Sequence, residues 1–225
     1  MSRFAINGAP LARRFRLGLL VLFMAACTSD PASALNPFES KLIADLNFDA
    51  ALMARVRASG LVFERLQMED GGGALVSHAG LVLVTPPGQA AAALDSVRAT
   101  LANTAYGAWI NDDGFGRSPD KIAIMKTHDQ FVYLGVAHTD GINWDLDHAA
   151  VAARYREWAN LYGLELRGAG LDWLSARISK PPKDWTAFAR EVYKFCPDIV
   201  DQGAETVEAL TTEMRTRNEL YLWWD

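Results

Sequence analysis

The chain ends in Leu220-Tyr-Leu-Trp-Trp-Asp225. A closing run this short, apolar and aromatic reads as a strand over 220–224. Leu220, Leu222 and Trp224 face one way and Tyr221 and Trp223 the other. Apolar residues on both sides predict a strand covered on both faces. Such a strand needs partners, so the chain must build a sheet around it. The residues before it say what packs there. Asp184 can cap a helix whose apolar stripe is Trp185, Phe188, Ala189, Val192 and Cys196. Pro197 stops that helix. Asp198-Ile-Val-Asp-Gln-Gly203 forms a polar junction, and Val207, Leu210 and Met214 mark a second helix. Helix, junction, helix and strand are consecutive and so are expected to pack together.

Upstream, Leu42, Ile43, Leu46, Ala50, Met53 and Val56 predict one helix over 39–59, ended by Gly60. Residues 61–68 and 74–85 read as strands around a glycine-rich turn, with Gly80 a candidate bulge. Ala93, Leu94, Val97 and Leu101 share a helical face. Residues 106–110, 122–126 and 131–137 read as strands, the last two joined by a hairpin at 127–130. Asp147 caps the best-specified helix, whose stripe is Val151, Tyr155, Trp158, Ala159 and Tyr162 and whose end is Gly163. Residues 164–178 read as a long strand or a strand pair, broken at Gly168-Ala-Gly170. Helices mixed with hairpin-linked strands predict an α+β fold: a single domain with a largely antiparallel sheet and helices packed against it. Trp158, Trp173, Phe188, Val192 and Leu222 are its expected buried residues.

The N-terminus carries a different message. Arg13-Arg14-Phe15-Arg16 precedes the apolar run Leu17–Ala26, the pattern of a secretory signal peptide. The run is shorter than the roughly 20 apolar residues a membrane span needs. Met24-Ala-Ala-Cys27 resembles a lipobox, which would make Cys27 a lipidated mature N-terminus anchored in a membrane. Ala32-Ser-Ala34 offers an alternative cleavage after residue 34. Residues 1–27 are therefore expected to be signal peptide and 28–37 a tether, followed by a helix-hairpin-helix part over 38–96. Only Cys27 and Cys196 are present, and either cleavage lipidates or removes Cys27, so the fold is expected to hold by packing without an internal disulfide. The net charge of −5 gives no broad basic face for nucleic acid.

Candidate chemistry competes at each position with a structural role. Cys196 is a candidate nucleophile, but it falls on an apolar stripe at a helix C-terminus, which does not favour a thiolate. Asp140, Asn143, Asp145 and Asp147 are oxygen donors suited to a hard cation. Their spacing misses the calcium-loop pattern, and turns and caps use the same residue types, so no metal site is assigned. His78, His128, His138 and His148 share no zinc spacing. The seven tryptophans can stack on sugars or bases, or fill the core. Asp198, Asp201 and Gln202 at the junction are the most suggestive group, with Asp140 and Asp172 as expected neighbours.

The loop from Asp112 to Phe115 and the motifs Lys121-Ile-Ala-Ile124, Thr139-Asp-Gly-Ile-Asn-Trp-Asp145, Gly168-Ala-Gly-Leu-Asp-Trp173, Phe195-Cys-Pro-Asp-Ile-Val-Asp-Gln-Gly203 and Tyr221-Leu-Trp-Trp-Asp225, in this order, resemble the domain-of-unknown-function family numbered 4253. The likeness covers residues 97–225. It implies a fold and supplies no reaction, cofactor or ligand. Ala204-Glu205 departs from the small residues more usual there, and the export signal departs from the many relatives that look cytosolic. The combined reading is a cell-envelope protein, a binding or interaction module for an unidentified protein or small molecule. The alternative is a hydrolase-like enzyme using the Asp-rich junction or Cys196.

Overall fold

A computed structural model describes residues 35–225. The signal segment with Cys27, the alternative site at Ala34 and most of the tether lie outside the described residues. Asn36 and Pro37, expected at the tether's end, instead open helix α1 (Pro37–Asp45). Asn36 accepts from the Glu39 N–H at 2.9 Å, and Glu39 accepts from the Asn36 N–H at 2.8 Å, a reciprocal capping box. The other Glu39 oxygen takes Arg57 at 2.6 Å and the Phe63 N–H at 2.8 Å, binding α1 to the first strand.

The helix expected over 39–59 is two helices, α1 and α2 (Ala50–Arg57). Asn47 takes a left-handed φ of 53° and Asp49 caps α2, accepting from the Leu52 N–H at 2.8 Å. The turn buries Phe48 against Tyr106, with ring centroids 5.0 Å apart. A continuous apolar stripe cannot reveal that break. β1 (Val62–Glu69) and β2 (Leu75–Thr85) form a hairpin whose register shifts between Arg65 and Gln67. Gly80 lies opposite the shift, where a Cβ would meet Leu66 Cδ2 at 2.7 Å and Ile124 O at 2.9 Å. α3 (Ala90–Thr100), β3 (Gly107–Asp112) and β4 (Asp120–Met125) follow.

Residues 131–137 are not a strand, and 127–130 is not a hairpin. Gln130–Ala137 is helix α4, capped by Asp129, which accepts from the Phe131 N–H at 2.9 Å. An apolar run this short reads equally as helix or strand, and the cap at Asp129 decides it. α5 (His148–Tyr162) begins and ends as expected, with Asp147 accepting from the Ala150 N–H at 2.8 Å and Gly163 left-handed at φ 60°. β5 (Leu164–Ala169) and β6 (Trp173–Ile178) are a pair. Their turn is at 170–172, and Gly168 marks a register shift inside β5 rather than the break. α6 (Trp185–Phe195), a π-helical turn (Ile199–Ala204), α7 (Val207–Arg217) and β7 (Glu219–Trp223) complete the chain.

The sheet has seven strands in the order β1-β2-β4-β3-β5-β6-β7. Every neighbouring pair is antiparallel except β3 and β5, which meet in parallel at Ile110 and Gly168. The fold is α+β with a largely antiparallel sheet. β1 and β2 belong to that sheet, so the 38–96 part is integral to it. One face packs Phe63, Leu81, Leu83, Ile110, Ile122 and Ile124 under α1, α2 and α3. The other packs Leu66, Val82, Trp109, Leu174, Leu220 and Leu222 under α4–α7. Trp158, Phe188, Val192 and Leu222 are buried as expected, whereas Trp173 is only partly buried.

The last strand also differs from its reading. β7 is a sheet edge, and only Leu220, Leu222 and Trp224 are fully buried. Tyr221 and Trp223 point to the other face and stay partly open. The cause lies in the connections. The helices after residue 121 pack into the same core cluster, while α1–α3 pack over strands β1–β4. The α1–α3 side of β5, β6 and β7 is left without a helix over it.

Candidate functional site

The junction residues meet at the end of β7. Asp198 is 4 % exposed and accepts three hydrogen bonds: from Trp144 Nε1 at 2.8 Å, Gln202 Nε2 at 3.0 Å and the Asp225 N–H at 3.0 Å. Burial pushes this carboxyl up, but the donors from Asp225, Trp144 and Gln202 outweigh it and hold it below the ordinary carboxylate value. Asp201 points outward and accepts from the Tyr193 hydroxyl at 2.8 Å. Neighbouring main chain is tied in the same region: the Trp224 N–H donates to Asp172 O at 2.9 Å and the Asp140 N–H to Leu171 O at 2.8 Å. Asp172 lies close enough to Asp225 and Asp140 to feel both. Desolvation first, then those two carboxylates, push it above its ordinary value.

The structure thus brings Asp140, Asp172, Asp198 and Gln202 around the C-terminal strand. Asn143 and Asp145 stay apart from them, exposed on a short 3-10 turn (Ile142–Trp144) that Asp145 ends with a left-handed φ of 54°. Asp147 is occupied as the cap of α5. Among the described residues, no group of three or more His, Cys, Asp or Glu is arranged to hold a metal ion. His138 and His148 stack at 4.7 Å, and His148 Nδ1 lies 3.2 Å from Thr139 O. Cys196 is fully buried, with its S–H directed at Trp223 O at 3.0 Å. Burial pushes the thiol up to about 12, so it stays protonated at neutral pH.

A feature the sequence reading missed lies on the bare half-face. Trp173 and Ser175 of β6 and Tyr221 and Trp223 of β7 floor a cavity of about 490 Å³. The β3–β4 loop walls one side with Asp113 and Phe115, the latter 65 % exposed. The π-helical turn and α7 wall the other through Gly203, Glu213 and Arg217. The Trp173 indole lies flat on β5. A Cβ on Gly168 would come within 2.6 Å of it, and one on Gly170 within 2.3 Å, so these glycines make room for the ring. Trp173 and Tyr221 are near-parallel, with centroids 6.4 Å apart and planes at 26°.

Polar groups surround this platform. Arg167 pairs with Asp95 at 3.0 Å, and Arg217 with Glu213 at 3.1 Å. Glu219 is pushed up by burial, against the pull of Arg167 and Arg217. Burial pushes the Tyr221 phenol up to about 12, so it remains a donor. The available signal was the alternation of Glu219, Tyr221 and Trp223 beside Trp173, Ser175 and Arg177, two adjacent strands polar and aromatic on one side.

The architecture defines an α+β domain with one sheet face half covered. Residues 121–225 match the sequence profile of the family described as Domain of unknown function (DUF4253), a match that begins later in the chain than the resemblance over residues 97–225. Neither curated proteins nor solved structures give a match to the chain.

Proposed function

We propose that the protein is a ligand-binding module of the cell envelope and that the aromatic half-face of β5–β7 is its binding site. One observation carries the reading: Trp173, Tyr221 and Trp223 sit partly open on a concave floor instead of in the core. Concave sites that combine apolar walls with a few converging polar groups are the usual form of small-ligand sites. The charges favour a neutral ligand. Arg167 and Arg217 are balanced by Asp113, Glu213 and Glu219, leaving no positive excess for a phosphate or a nucleic acid. Aromatic faces ringed by hydrogen-bonding groups suit a sugar, whose C–H face stacks while its hydroxyls bond the rim. Placement in the envelope rests on the basic segment, the apolar run and Cys27, whose lipid would be the membrane partner.

Tryptophan fluorescence of the protein, titrated with cellohexaose, maltohexaose and N-acetylglucosamine oligomers, tests it. A saturable change with one glycan is expected, lost in Trp173→Ala and Trp223→Ala. No saturable change with any of them, or one that survives both substitutions, rejects the reading. The competing hydrolase-like reading draws its support from Asp172, a carboxyl pushed upward by desolvation and by the neighbouring Asp225 and Asp140. It requires that the bound glycan be cleaved and that Asp172→Asn abolish cleavage without abolishing binding.

A further inference from the structure

The sheet opens between β3 and β5. The two strands are in register only at Ile110 and Gly168, and side chains take over beyond that point. From one face, Arg98 of α3 donates to Ala108 O from Nε at 3.0 Å and from Nη2 at 2.8 Å, and to Leu166 O from Nη2 at 2.7 Å. From the other face, Gln130 of α4 donates to Leu164 O at 3.0 Å and accepts the Leu166 N–H at 2.7 Å. Its amide does for β5 what a neighbouring strand would do. The opening widens into a cleft of about 410 Å³, separate from the aromatic groove, lined by Arg98, Leu101, Ala102, Tyr106, Tyr133 and Leu166 among others.

Arg98 is the unusual group here. Burial, and then the charge of Arg167, press its pKa downward, yet a guanidinium keeps its proton in proteins. The nearest acids are engaged elsewhere, Asp95 with Arg167 at 3.0 Å and Glu165 with Arg177 at 3.0 Å. Among the described residues, Arg98 has no carboxylate at ion-pair distance, and its Nη1 makes no hydrogen bond. A largely desolvated cation held only by carbonyl dipoles is costly, and a bound anion relieves that cost.

We propose that this cleft binds a small organic monocarboxylate, with its carboxylate on Arg98 Nη1 and its apolar body against Leu101, Leu166 and the two tyrosine rings. One unpaired cation calls for one negative charge. Glu165, which also lines the cleft, opposes a dianion such as phosphate.

Thermal shift of the full chain with benzoate and hexanoate tests this, with benzyl alcohol, hexanol and inorganic phosphate as comparisons. A saturable rise in Tm with the acids alone is expected, because a ligand of the native state stabilises it. Arg98→Met removes the staple between the strands together with the charge. The exposed Ala102→Trp, which obstructs the cleft and leaves Arg98 in place, is therefore the deciding variant; it should abolish the rise. Trp223→Ala, in the other cavity, should preserve it. The proposal is overturned by no saturable rise with either acid, by an equal rise with the alcohols, by a rise with phosphate, or by a rise that persists in Ala102→Trp.

Discussion

Among the described residues Asp198 is a carboxylate with no cation beside it, stabilised by three N–H donors from three parts of the chain. Its folded pKa lies below the ordinary 3.8. Its contribution to stability is therefore present above about 3.8 and lost as pH falls through the folded value. Asp198→Asn is expected to cost about 1–3 kcal/mol at neutral pH, since it sets an amide N–H₂ against donors. The gap to the native chain should narrow in acid denaturation as the pH drops below that value. Asp172 has the opposite sign. Its folded pKa is raised above 3.8, so its stabilising contribution is complete below 3.8 and is lost as pH rises through the folded value. Asp172→Asn should accordingly raise Tm at neutral pH and leave it unchanged in acid; a lower Tm at neutral pH would contradict the crowding with Asp140 and Asp225. In the core, Phe188 meets Trp158 edge-on at 5.5 Å and Tyr162 at 4.2 Å. Phe188→Ala should cost about 3–5 kcal/mol by urea unfolding.

α4 is the element whose type the apolar pattern misjudged, and a glycine inside it offers a direct check. Gly135 lies in the helix without a left-handed φ, and a Cβ there would meet nothing within 4 Å. Gly135→Ala should therefore stabilise the protein by about 0.5–1 kcal/mol, the helix preference for alanine over glycine. An unchanged or lowered urea midpoint would argue against the helix. β5 makes the converse case. Gly168→Ala would push a Cβ into the Trp173 ring, so the indole must leave its seat. The expected result is a shifted tryptophan emission and a lost glycan response, with the helices intact by circular dichroism.

At the scale of the whole molecule, helices are unequally shared between the faces of the sheet. α1, α2 and α3 serve one end of one face, and α4 to α7 serve the other face. The groove over β5–β7 follows from that imbalance, and the cleft at Arg98 from the single point where the parallel strands β3 and β5 meet. Among the described residues, no helix is long and apolar enough to cross a membrane. The proposed membrane attachment rests on the basic segment, the apolar run and Cys27. Intact mass of the mature protein should show a lipidated chain beginning at Cys27; an unlipidated chain beginning at Leu35 would refute the anchor and leave export standing.

Local patterns in the sequence determined what depends on few neighbours. The cap at Asp147, the stop at Pro197 and the stripe of α6 are set by residues within a turn or two, so they were legible before any contact was known. The resemblance of the C-terminal motifs also pointed to the region where Asp198, Asp172 and Asp140 gather. Tertiary structure decided the rest. Phe48 breaks a seemingly continuous helix because Tyr106 lies far along the chain to receive it. Residues 131–137 are as apolar as a strand, and their cap at Asp129 together with packing beside β5 makes them a helix. Trp173, Tyr221 and Trp223 read as core because hydrophobicity alone does not say which face a helix will cover. Only the assembled sheet, with α4 to α7 on one face and α1 to α3 over β1–β4 on the other, leaves those rings partly open.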